Sequence, residues 1–198
     1  MSFSWQAEAL DRIRAVAKVV PLNMTYGPWV AGGCARGLVT GEQANDVDLF
    51  FASKEQKADA LTRLQPYFCE SQPSTGSDAV SSYYEVPGAG LVNFAGAHEF
   101  KNVAELLGSF DITVCMFAAD GDDVYPYHKR VLEHVENKTL LVVRPTYRRR
   151  ILKYTSYGYA LGVAQESIFN AGPTHPDWHT LITSEDFVNS TKKRPWIP

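Results

Sequence analysis

A chain of 198 residues, 45% hydrophobic and 12% aromatic, can fill one ordinary core, or one plus a small appendage, without staples. Its 19 basic against 22 acidic residues leave a formal charge of -3, which excludes a protein that coats itself in nucleic acid through bulk charge, and Cys34, Cys69 and Cys115 have neither zinc-like nor disulfide spacing. Charges every few residues at the N-terminus exclude a secretory h-region, and no apolar run approaches the ~20 residues of a membrane span, so a reducing, cytoplasmic location without membrane contact is expected.

Trp5, Leu10, Ile13, Val16 and Val20 recur near helical spacing with charges between them, which predicts an amphipathic helix over 5–20 stopped by Pro21. Residues 29–31 read as a short apolar strand running into Gly32-Gly33, and 34–38 as the start of a helix before Thr40-Gly41 turns the chain. Residues 46–52 (DVDLFFA) read as a buried strand, and 54–68 as a second amphipathic helix with Ala58, Leu61, Leu64 and Phe68 on one face. Beyond the polar stretch 71–82, two short β-like runs at 83–86 and 91–94 form a hairpin about Pro87-Gly88-Ala89-Gly90. A short helix over 103–107, a buried strand over 111–118 (DITVCMFA), a turn at Gly121-Asp122-Asp123, a short strand over 140–143 and a helix from 145 to about 165 follow. This order predicts an α/β (α+β) domain over 1–165, a small mixed sheet flanked by helices, with an irregular tail over 166–198 that holds one short helix at most, near 184–189.

The chemistry concentrates in GGCARGLVTGEQANDVDLFF, residues 32–51. Asp46 and Asp48 stand two apart on the predicted strand, so both side chains leave the same face while Val47 and Leu49 enter the core. Paired carboxylates repel unless a cation lies between them, and hard oxygen donors select magnesium or manganese. Gly32 and Gly33, bare of side chains, let the backbone approach a triphosphate, with the amides of the following helix as donors and Arg36 one turn further on. A metal pair beside a phosphate cradle suggests phosphoryl or nucleotidyl transfer. Arg149 and Lys153 are neighbours one turn apart on the helix after residue 145, suited to phosphate, while Arg150 is expected on a different face. Tyr154 and Tyr157 are expected to pack rather than stack on a base. His175 and His179 have helical zinc spacing, but Pro176 between them and the absence of a third ligand argue against a metal there.

Strand, GG, short helix and then D-hydrophobic-D on an apolar strand resembles the DNA polymerase β-type nucleotidyltransferase superfamily. It is most similar to the head domain of tRNA nucleotidyltransferases and bacterial poly(A) polymerases, and to small stand-alone nucleotidyltransferases of phage type. Gly32, Gly33, Arg36, Asp46 and Asp48 match that pattern, whereas Gly37 stands where the family usually has an aspartate. FDITVCMFAADGDDV (110–124) resembles the family's RRDFTINA motif, with Asp111 in the aspartate position, Ser109 and Phe110 for the arginines and Cys115 for the asparagine. The resemblance implies that Asp111 is either a third metal carboxylate, the preferred reading, or a ribose-facing group. RRRILKYTSYGYAL (148–161) is similar to the helix whose basic residues face the nucleotide in this family.

The expected activity is therefore magnesium- or manganese-dependent transfer of a nucleoside monophosphate from a nucleoside triphosphate to a hydroxyl, with release of pyrophosphate. Asp46, Asp48 and Asp111 would be the metal and catalytic residues, and Gly32, Gly33, Arg36, Arg149 and Lys153 would bind the nucleotide. The acceptor is open between an RNA 3′ end, a protein side chain and a small molecule; the long helical domains by which the tRNA enzymes grip RNA are not expected in a chain this short. The alternative is a catalytically weak nucleotide- or RNA-binding module that keeps the fold, favoured by the departures at Gly37, Ser109, Phe110 and Cys115.

Overall fold

The computed structural model describes residues 5–69, 83–95, 99–144, 146 and 148–162, without the side chains of Trp5, Arg148 and Arg149. The polar stretch, the tail with His175 and His179, and the side chain of Arg149 thus lie outside the described residues.

The first helix, α1 (Trp5–Val19), buries Leu10, Ile13 and Val16. The wholly buried strand β1 (Trp29–Ala31) leads into α2 (Gly33–Thr40), which packs on α1 through Cys34, Ala35 and Leu38. Strand β2 (Val47–Phe50) precedes α3 (Lys54–Leu64), whose Ser53 cap accepts from the Gln56 amide. The predicted helix to 68 stops early, because Pro66 tightens residues 65–67 into a 3₁₀ turn.

Strands β3 (Phe68–Cys69), β4 (Tyr83–Val86) and β5 (Gly90–Phe94) follow, the last two forming the expected hairpin with Gly88 and Gly90 at positive φ. After α4 (Val103–Gly108) come β6 (Phe117–Ala119) and β7 (Val124–Pro126), then α5 (Lys129–Glu136), β8 (Thr139–Leu140), α6 (Arg148–Ser156) and β9 (Ala160–Leu161). Seven strands form one sheet in the order β3-β4-β5-β2-β1-β6-β7. Only β2 with β5 is parallel among its described pairings, and β8 with β9 forms a separate parallel pair. The core is continuous from α1 and α2 across the sheet to Ile112, Leu140 and Tyr154.

Four further expectations are corrected. Residues 111–118 are not one strand: the Thr113 amide donates to the Leu141 carbonyl, Thr113–Cys115 form a 3₁₀ turn, and only then does β6 begin. A short run that is apolar on every side cannot reveal whether it is a strand or a buried turn. The expected strand over 140–143 is shorter, ending at Leu140, with Val142 reduced to an isolated bridge to Ile112. The helix expected to about 165 ends at Ser156, since Gly158, at φ 86°, turns the chain into β9. Asp46 lies in the bend before β2 rather than on the strand. Helix α5 was not anticipated; its eight residues bury only Val131 and Val135, too few to set a period.

Candidate active site

Strand β1 aims the chain at Gly32, whose φ of 81° and ψ of -130° suit no other residue and whose amide donates 2.9 Å to the Phe117 carbonyl of β6. Gly32 caps α2, so the free amides of that helix start here. A Cβ on Gly32 would stand 3.9 Å from Asp48 Oδ2, over the carboxylate. Register puts Asp48 opposite Ala31 of β1 and beside Asn93 of β5, with Tyr83 of β4 next in the row. Asn93 Nδ2 donates to Asp48 Oδ1 at 3.1 Å.

Burial and then the neighbouring charge of Asp46 push the Asp48 carboxyl from its ordinary 3.8 to about 7, against the Asn93 hydrogen bond and the charges of Lys153 and Arg150. The same field spreads outward. Burial raises the Cys34 thiol to about 12, opposed by Arg12 and reinforced by Asp48 and Asp46; burial, then Asp46 and Asp48, raise the Tyr83 phenol. The loop ahead of Asp46 is clamped by the buried Arg12 of α1, which donates to the carbonyls of Ala89 (2.7 Å), Ala44 (2.5 Å) and Asn45 (3.3 Å).

Asp111 has a different environment. Arg150 Nη2 donates to its Oδ1 at 2.9 Å, Arg150 Nε lies 2.9 Å from its Oδ2, and the Thr146 hydroxyl donates to Oδ2 as well. Among the described residues no three acidic, histidine or cysteine side chains gather as a metal cluster. Arg150 nonetheless acts on both corners, on Asp111 directly and on Asp48 through its field.

Arg36 is 2% exposed and inward-facing: its Nε is 3.0 Å from Glu42 Oε2, its Nη1 donates to the Tyr154 hydroxyl at 3.4 Å, and its guanidinium carbon sits 5.0 Å from that ring's centre. Tyr154 also accepts from the Cys115 thiol at 3.0 Å, so it is a buried strut between α6 and α2, consistent with the expectation that it packs. Lys153, in contrast, is exposed, and its charge acts on Asp48. Gly33 leaves room beside Ala44, 3.8 Å from the place of a Cβ. At Gly37 a Cβ would lie 2.9 Å from the Glu42 carbonyl oxygen and 3.3 Å from Ala9 Cβ, which explains why an aspartate is missing there.

Three contributors escaped the sequence. Arg150, expected on a different face of the helix, lies three residues from Lys153 on α6, and the charges of both act on Asp48. Asn93 is a lone amide in a mostly apolar hairpin, and Arg12 one of several cations on an amphipathic helix; neither carries a local signal.

In fold the chain is similar to the Bacillus stearothermophilus CCA-adding enzyme in complex with CTP, at a TM-score of 0.51 and 17% identity over 81% of this chain and 42% of that one. An apo form of a CCA-adding enzyme is matched at a TM-score of 0.51 and 13% identity, over 92% of this chain and 45% of that one. The chain thus spans less than half the length of these structures, and the likeness establishes a nucleotidyltransferase-type fold, as expected. No curated protein matches the sequence. The model of the Gad2 family, Gabija anti-defense 2, matches residues 5–138, more than half of the sequence, so the chain belongs to the Gabija anti-defense 2 family.

Proposed function

We propose that this protein is a metal-dependent nucleotidyltransferase of stand-alone, phage type, which moves a nucleoside monophosphate from a nucleoside triphosphate to a hydroxyl acceptor and so serves the counter-defence for which its family is described. The carrying observation is the Asp46–Asp48 pair, with Asp48 set against Gly32 at the start of α2 and the charges of Arg150 and Lys153 acting on it. The donor set suits a hard divalent cation: two carboxylates, one of them kept from ionising freely by burial and the other's charge, is the arrangement such an ion relieves. When bound there, magnesium or manganese supplies Lewis-acid polarisation of the transferred phosphoryl group.

The protein's own groups do the rest. Asp46 and Asp48 hold the ion, Gly32 and Gly33 let the α2 amides approach the triphosphate, and Lys153 and Arg149 bring positive charge to it. Arg36, already matched by Glu42, braces α2 from beneath. Asp111, held by Arg150 and Thr146, faces the ribose or positions the acceptor hydroxyl; its ion pair supports that reading over a third metal carboxylate. The new bond joins the acceptor oxygen to the α-phosphorus as the hydroxyl gives up its proton to solvent, the bond from the α-phosphorus to the bridging β-phosphate oxygen breaks, and pyrophosphate leaves.

The test is incubation of wild type and Asp46→Ala/Asp48→Ala with magnesium and each labelled triphosphate, with RNA, Gabija proteins and cell extract as acceptors. Label transferred by wild type alone establishes the activity and its acceptor class. Magnesium-dependent nucleotide binding without transfer makes the chain a binding module instead.

A further inference from the structure

Beside the carboxylate pair, Asn93 is the polar side chain that the proposed reaction does not yet use. It stands in register with Asp48 on the one parallel neighbour of β2, and its Nδ2 donates 3.1 Å to Asp48 Oδ1. The amide orientation is the one that an ionised Asp48, as a cation ligand must be, requires, since the reverse would set two acceptors against each other. Asp48 Oδ1 thereby has a donor within the protein, while Oδ2 is the oxygen directed at the space over Gly32, 3.9 Å from where a Cβ would be. The other end of the amide is unmatched: among the described residues, Asn93 Oδ1 is a buried atom with no hydrogen-bond partner. An unmatched buried carbonyl typically costs on the order of 1–3 kcal/mol, and such groups otherwise find protein or ordered water.

Resting on the reading of Asp46 and Asp48 as cation ligands, we propose that Asn93 is a positioning residue for the cation: its Nδ2 ties down Asp48 Oδ1 so that Oδ2 faces the ion, and its Oδ1 accepts from a water that the ion carries. Asn93 is then a neutral partner one layer behind the ligands. The unmatched oxygen follows, because its donor arrives only with the cation and its water. Magnesium and manganese keep several waters when held by one or two carboxylates, so that donor is available.

Manganese(II) titration of the full chain, followed by electron paramagnetic resonance, reads this without any catalytic turnover. Wild type is compared with Asp46→Ala/Asp48→Ala, Asn93→Leu, Asn93→Ser and Asn93→Asp, with circular dichroism checking that each folds. Asn93→Leu, close in shape and unable to donate or accept, weakens manganese binding about tenfold or more. Asn93→Ser, which keeps a donor and an acceptor, recovers part of the loss. Asn93→Asp, which keeps an oxygen but loses the donor, binds more weakly than wild type. Asn93→Asp binding as tightly as wild type or tighter overturns the proposal, because position 93 then supplies a ligand oxygen and not an orienting amide. Asn93→Leu binding like wild type overturns it too, with Asn93 a bystander. If wild type and the double aspartate variant bind manganese alike, the reading of the pair itself fails, a result separate from either of these.

Discussion

Asp48 and Asp111 are both carboxylates within reach of Arg150, yet they are treated oppositely. Asp111 has a guanidinium and a hydroxyl to answer its charge. Asp48 has one amide bond, a like-charged neighbour and burial, and its carboxyl rises to about 7. A charge answered within the protein is structure, whereas a charge left unanswered at the mouth of a helix N-terminus awaits a ligand that is not protein. The conspicuous mismatch, more than the aspartates as such, marks the place where chemistry is expected.

The comparison is broken most severely by removing the unanswered corner. Asp46→Ala/Asp48→Ala is expected to lower transfer at least about a thousandfold, the several kcal/mol that a held cation contributes to the transition state. Asp111→Asn is expected to leave manganese affinity near wild type, and titrating both variants side by side checks the contrast. Next in size is a packing effect under the same helix. Gly37→Ala would stabilise an open helix by about 1 kcal/mol, but with a backbone carbonyl 2.9 Å from the new carbon it destabilises by about 1–3 kcal/mol, readable in urea denaturation.

The third prediction turns on proton linkage. In the folded protein Asp48 holds its proton up to about 7 against an ordinary 3.8, so its ionisation opposes folding. The penalty is absent below the ordinary value, grows as pH rises between the two, and is complete above the higher one. Metal-free Asp48→Asn is therefore more stable than wild type by about 1–3 kcal/mol at about pH 8 and equal to it at about pH 4, whereas wild type gains more from added magnesium as pH rises through this range. The smallest effect belongs to the answered corner. A double-mutant cycle over Asp111→Asn and Arg150→Ala is expected to give a coupling of about 0.5–1 kcal/mol, modest because the Arg150 side chain is 42% exposed. Arg150→Ala also withdraws a charge that favours ionised Asp48, so the pH midpoint of manganese binding moves upward.

Much of this was legible in the chain. The helix from Trp5, the strand into Gly32, the hairpin about Gly88 and the amphipathic α3 each have a period or a glycine that local sterics read directly. The turn at Thr113–Cys115 was misread because an all-apolar run has no face to report. Arg36 looked like a free cation because nothing in the sequence announces that Tyr154, 118 residues away, accepts from it, or that the chain after α2 turns Glu42 back against it.

By itself the sequence determined that a glycine pair and a pair of carboxylates lie on or beside consecutive elements of a small mixed domain, since turn sterics and two-residue spacing act over a few residues. Only the tertiary structure decided which charges are answered. It put Asn93 in register with Asp48, gave Arg150 to Asp111, and closed Arg36 against Glu42. Ion pairing and desolvation depend on distances through space, mostly between strands and helices far apart in the chain and, for Arg36 and Glu42, across a turn whose path only the packing sets.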